Sequence, residues 1–127
     1  MHLQGSCRCG AVGFSCDAYA PMPFLRCYCS ICRKTAGGGG HAVNLGAWAD
    51  SLKVEGERHV VVWHATIDGR RSEVERRFCG ACGTALWVSD PRWPDLVHPF
   101  ASAVDTPLPQ PPHVVHMMLG EKPDWVR

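Results

Sequence analysis

Apolar residues recur along the chain in short runs broken by glycine and proline, and little of the sequence carries the 3.6-residue period of an amphipathic helix. These runs predict strands over Ala11–Cys16, Leu25–Cys27, Ala42–Leu45, Leu52–Glu55, Val60–Ala65, Glu73–Phe78, Thr84–Val88, Leu96–Ala101 and Val114–Met118. Several alternate with period two or are rich in β-branched and aromatic residues. Ser72–Phe78 and Thr84–Val88 each read as a strand with one wet face, and the turn Cys79-Gly80-Ala81-Cys82-Gly83 between them makes the pair a hairpin. The single helical piece is Ser30 to Thr35, ended by Gly37–Gly40, and Arg70-Arg71 after Asp68-Gly69 reads as an exposed hairpin turn. Pro107–Pro112 reads as a polyproline connector, and the five tryptophans are expected in the core or packed against it. The expected fold class is mainly β.

At 127 residues the chain suits one domain, 1–127, that can bury a real core without covalent staples. A net charge of +1 with acids and bases mixed gives no electrostatic reason to expect nucleic acid or an anionic membrane as partner. No stretch approaches the roughly 18 consecutive apolar residues of a membrane span. Met1-His2-Leu3-Gln4-Gly5 lacks the charged-then-apolar build of a signal peptide, so a cytoplasmic protein is expected. In a reducing compartment, eight cysteines point to metal or chemistry rather than to disulfides.

Seven of the eight fall in three groups: Cys7-Arg8-Cys9-Gly10, Cys27-Tyr28-Cys29-Ser30-Ile31-Cys32 and Cys79-Gly80-Ala81-Cys82-Gly83. Tetrahedral zinc with Zn–S of about 2.3 Å needs sulfurs roughly 3.8 Å apart. Two residues between Cys79 and Cys82 let the backbone turn around a metal, and Gly80 and Gly83 tolerate the positive φ of such a turn. Cys7 and Cys9 share one face of an extended strand but lie about 6.6 Å apart there, so the chain must tighten, which Gly10 eases. Together the two pairs give a closed four-thiolate site, the usual form of structural zinc. Cys27, Cys29 and Cys32 supply three ligands and leave one position open, as catalytic zinc sites do. Three thiolates make the metal a poor activator of water and a better seat for an exogenous thiolate, which points to a thiol substrate.

Other readings compete. A histidine (His41, His113 or His116) closes the second site and makes both structural, or the C-x-x-C pairs are redox-active without metal. Cys16 reads as a small buried hydrophobe. Arg33 and Lys34 either attract the carboxylates of an anionic thiol or form a solvated turn. Gly37–Gly40 is a flexible connector or a flap over the open metal position.

Gly5-Ser6-Cys7-Arg8-Cys9-Gly10-Ala11-Val12, Cys27–Lys34 with Gly37, and Phe78-Cys79-Gly80-Ala81-Cys82-Gly83-Thr84 together resemble the glutathione-dependent formaldehyde-activating enzyme family, which includes centromere protein V. Asp105, Pro111-Pro112-His113 and Pro123-Asp124-Trp125 are similar as well. The resemblance implies a β-tent of antiparallel sheets with little helix. It implies a structural zinc on Cys7, Cys9, Cys79 and Cys82 and a second zinc on Cys27, Cys29 and Cys32; an open three-thiolate site is itself expected to hold its zinc more labilely. It further implies a carbon–sulfur lyase that joins glutathione to formaldehyde as S-hydroxymethylglutathione, a thiol and an aldehyde being its partners. The alternative is a non-catalytic, zinc-stabilised binding module, like the zinc-containing guanine-nucleotide-exchange and chaperone proteins.

Overall fold

The computed structural model describes residues 1–20 and 22–127, and short strands dominate it. Strand β1 (His2–Ser6) turns into β2 (Gly13–Asp17), and β3 (Leu25–Cys27) leads into helix α1 (Ser30–Ala36). β4 (Ala42–Asn44), β5 (Ala47–Trp48), β6 (Lys53–Glu55) and β7 (Val60–Trp63) follow. β8 (Thr66–Ile67) and β9 (Arg70–Arg71) form a two-stranded ribbon. The chain closes with β10 (Glu75–Cys79), β11 (Ala85–Ser89), β12 (Leu96–Pro99) and β13 (Val115–Met117).

The larger sheets run β1-β2-β6, β5-β12-β11-β10-β7 and β13-β3-β4. The expected mainly β, antiparallel architecture holds, with one departure: β13 lies parallel to β3. No helix among the described residues is long and apolar enough to cross a membrane.

The main core lies where the first two sheets meet. β2 alternates, turning Phe14 and Cys16 inward and Gly13, Ser15 and Asp17 outward. Phe14 meets Trp87 of β11 edge to face, ring centroids 5.3 Å apart, among Leu3, Val12, Leu45, Leu86 and Val97. Gly5 leaves the room this packing needs, because a Cβ at that position would collide with the edge of the Phe14 ring. A second, smaller cluster joins Cys27, Cys32, Ala42, Val88 and Phe100.

Several sequence expectations need correction. β1 carries one large apolar residue, Leu3, and a glycine, so nothing in its pattern marks it as a strand. β11 has no wet face: Leu86, Trp87 and Val88 are all buried, because the strand is central and is covered on both sides by the two clusters. Trp87 is the one tryptophan of the core; Trp48, Trp63, Trp93 and Trp125 are exposed. The turn of the β8–β9 ribbon is made by Asp68 and Gly69, both at positive φ, and the two arginines lie in the strand after it. In the glycine run, Gly37 lies against the His41 backbone and Gly40 under Trp125 and Val126, so close approach rather than flexibility explains those two.

Candidate metal centres

The first thiol group forms where two hairpin turns face each other. Cys7 and Cys9 lie in the β1–β2 turn, and Cys79 and Cys82 in and after the end of β10. The turns are built alike. In one, Cys7 N–H donates to Val12 O (3.0 Å) and Gly10 N–H to Cys7 O (3.1 Å); in the other, Cys79 N–H donates to Thr84 O (2.9 Å) and Gly83 N–H to Cys79 O (2.8 Å). Gly10 and Gly83 close them at φ of 82°, a left-handed geometry that favours glycine.

The four sulfurs lie within 4.8 Å of one another. Cys7–Cys9 and Cys9–Cys79 are 3.6 and 3.8 Å apart, close to the roughly 3.8 Å of a tetrahedral thiolate cage. The donor set therefore fits a four-coordinate metal, and such a metal would pin the first sheet to the second. Val12 N–H points at Cys7 Sγ from 3.2 Å. Thr84 ties the two turns: its Oγ1 accepts from Arg8 N–H at 3.1 Å and lies 3.2 Å from Cys82 Sγ. That contact pulls the Cys82 thiol down to about 5.

The second group gathers Cys27, Cys29 and Cys32, again within 4.8 Å of one another. Cys27 ends β3, Cys29 caps the helix, and Cys32 sits in its first turn. Cys27 and Cys29 sulfurs are 3.5 Å apart, and Cys29 Sγ accepts from Cys32 N–H at 3.3 Å, the place usually filled by a Ser or Asp oxygen. Three sulfurs so spaced suit a metal that keeps one position for another ligand.

Among the described residues no histidine joins either group. His116 is turned to Tyr28 instead, Nδ1 2.7 Å from the phenol oxygen, and His41 packs against the same ring. Arg33 Nε donates to Tyr28 O at 3.1 Å, which fixes its stem, while Lys34 is exposed. Cys16 is fully buried in the main core, far from either group in role, and burial pushes its thiol up to about 11.

One residue escaped the sequence reading. Arg76 of β10 places Nη1 and Nη2 at 3.6 and 3.7 Å from Cys32 Sγ. The Cys32 thiol is held down at about 5, first by its hydrogen bond with Cys27 and then by the Arg76 charge; the Cys27 thiol is pushed up in return. The signal was available. Val74, Arg76 and Phe78 share one face of an alternating stretch, and an arginine between two apolar residues on an inward face needs a buried partner.

The fold and these two thiol groups define a mainly β protein with paired cysteine centres suited to metal. The chain belongs to the glutathione-dependent formaldehyde-activating enzyme family, whose sequence model matches residues 2–119. A Halomonas elongata protein, named as a candidate glutathione-dependent formaldehyde-activating enzyme, is 62% identical over 126 residues, covering 99% of this chain and 80% of that protein. A crystal structure of a Rhodobacter sphaeroides protein shares the fold with a TM-score of 0.66 at 23% identity, covering 90% of this chain and 98% of that one.

Proposed function

We propose that the protein is a zinc-dependent carbon–sulfur lyase acting on the thiol adduct of a small aldehyde, of which S-hydroxymethylglutathione is the family's type. The observation that carries this reading is the inequality of the two thiol groups. Cys7, Cys9, Cys79 and Cys82 complete a tetrahedral set, whereas Cys27, Cys29 and Cys32 have no fourth protein ligand among the described residues. Zinc on the second set would supply a Lewis acid that keeps a bound thiol deprotonated.

The chain's own residues prepare that place. Arg76 offsets the negative charge gathered on three sulfurs and holds Cys32 in position. Helix α1 fixes Cys29 and Cys32 relative to each other through the Cys32 N–H bond. Lys34, exposed in the last turn of α1, is free to meet a carboxylate of glutathione, while Arg33 is partly spent on Tyr28 O. In the reaction, the thiol sulfur bonds to the carbonyl carbon, the carbonyl π pair moves to oxygen, and that oxygen takes up the proton the thiol gave. The reverse breaks the carbon–sulfur bond. Eight free cysteines suit a reducing, cytoplasmic setting.

Exchange NMR of glutathione and formaldehyde with zinc-loaded protein tests this. Faster interconversion of free thiol and S-hydroxymethylglutathione than in buffer is expected. Equal rates, with two zinc ions per chain verified, would sink the proposal.

A further inference from the structure

A cavity of about 340 Å³, lined chiefly by Thr35, Trp63, Arg76, Phe78, Ala85 and Phe100, shares walls with the surroundings of the second thiol group, although none of that group's cysteines lines it. Three observations connect it to that group. Phe100 and Ala85 belong to the apolar cluster that encloses Cys27 and Cys32. Arg76 is at once a wall of the cavity and the donor to Cys32 Sγ. Thr35 lies one helical turn beyond Cys32 on α1, at the solvent side.

The walls are those of an apolar binding pocket with one charged group. Trp63 keeps 43% of its surface exposed although it is the largest side chain of the edge strand β7, so an aromatic face stands open at the cavity. Arg77, the other cation there, is occupied: Nη1 donates to Ser89 Oγ at 3.0 Å, and Nη2 is 3.5 Å from Glu75. Formaldehyde is little larger than a water molecule, and the cavity has room for about ten waters at roughly 30 Å³ each. Glutathione would bring two carboxylates and an ammonium against walls that cannot replace their hydration. Neither family substrate explains the cavity.

Resting on the reading of the second thiol group as the reaction centre, we infer that this cavity receives an apolar substituent on the aldehyde carbon. The substrates would then be thiol adducts of aromatic or branched aliphatic aldehydes, with the thiol's charged body outside. Contact with the open face of Trp63 and with Phe78 selects the substituent, and Arg76 marks the passage between cavity and centre.

The test has two arms. In the first, glutathione adduct formation is followed for benzaldehyde and for formaldehyde on zinc-loaded protein, each rate divided by its uncatalysed rate. The benzaldehyde-to-formaldehyde ratio of kcat/KM should be at least tenfold in favour of benzaldehyde, since a well-seated apolar group is worth about 10- to 200-fold. Trp63→Ala should cut that ratio fivefold or more, and Trp63→Phe should restore most of it. In the second arm, saturation-transfer NMR with benzyl alcohol, in the absence of any thiol, should show ring contact in the natural protein and its loss in Thr35→Trp, which fills the cavity from the solvent side. Acceleration of neither adduct overturns the underlying lyase reading. Acceleration with formaldehyde alone, or no ring contact, overturns this inference and leaves that reading in place.

Discussion

Arg76 and Cys32 meet across the boundary between the five-stranded sheet and helix α1, with both terminal guanidinium nitrogens 3.6 and 3.7 Å from the sulfur. Three thiolates around a dication would leave an excess negative charge in this corner, and Arg76 is placed to offset it. Arg76→Met should therefore weaken zinc binding at the second group about 10- to 100-fold, in line with about 1.5–3 kcal/mol for a hydrogen bond to a charged partner. Arg76→Lys keeps the charge but loses the planar fork, so an intermediate loss is expected. Competition with a chromophoric chelator would read both constants. Zinc at the Cys7, Cys9, Cys79 and Cys82 group should be unaffected in either variant, and a methionine variant that holds both ions as tightly as the natural protein would remove Arg76 from the centre.

The two thiol groups should also separate under mutation. Cys79 is fully buried at the junction of two sheets, and a metal there closes a contact between residues about seventy positions apart in sequence. Cys79→Ser should lose one zinc per chain and lower Tm by more than ~10 °C. Cys29 sits at the edge of the fold as a helix cap. Cys29→Ser keeps a good capping oxygen and should cost less than about 5 °C while abolishing thiol binding at the second group. Metal analysis with calorimetry on each variant decides; comparable destabilisation by both would mean that the two groups share one structural role.

Cys16 gives a pH prediction independent of metal. Its thiol ionises near 9 in the unfolded chain and at about 11 when buried beside Leu3 and Phe14, burial being the main cause and Asp17 adding to it. A raised pKa means that the neutral thiol is favoured by folding. The contribution is fully present below pH 9 and is lost as pH rises from 9 to 11, where the unfolded chain ionises first. Stability of the natural protein should fall across that window. Cys16→Ala starts less stable, because a buried side chain is truncated, and should show a shallower decline. Parallel slopes for the two proteins between pH 9 and 11 would rule out Cys16 as the titrating group.

The grouping of the cysteines was the most legible part of the sequence, because the spacing of thiols is a local property. Cys79-x-x-Cys82-Gly83 announces a turn, closed at positive φ by Gly83 and not by Gly80. The tightening expected at Cys7-x-Cys9 is a turn closed by Gly10, and the structure brings together the four sulfurs that the spacing paired. The same holds for β3 and α1, whose bounds follow from Cys27–Cys32 and the glycines beyond. What depends on remote partners was not legible. β1 is a strand through its pairing with β2, against which Gly5 leaves room for the Phe14 ring, and no residue of β1 says so alone. Trp63 stays exposed on the edge strand, where it lines a cavity rather than a core, and nothing in the local pattern distinguishes it from the buried Trp87. Arg76 stands on the apolar face of its alternating stretch between Val74 and Phe78, which signals a partner, but only the approach of α1 to β10 identifies that partner as Cys32.

The Gly5–Phe14 contact offers a measure of how tightly the two sheets are matched. A Cβ at residue 5 would collide with the edge of the Phe14 ring and stand 2.7 Å from the Ala103 carbonyl oxygen, so backbone blocks one escape and a core aromatic the other. Phe14 cannot swing away without leaving Trp87, whose ring it meets edge to face. Gly5→Ala should therefore destabilise by about 1–3 kcal/mol through overpacking, although alanine is otherwise the better strand residue. Phe14→Leu alone should also destabilise, by loss of buried area and of the aromatic pair. In the double variant the smaller leucine makes room for the new methyl group, so the two losses should fall short of additivity by at least about 0.5 kcal/mol. Urea unfolding of the four proteins at one pH and zinc load supplies the cycle, provided the m-values agree. Strict additivity would show that the sheets relax apart at this point, and that Phe14 is not held against β1 as closely as the distances require.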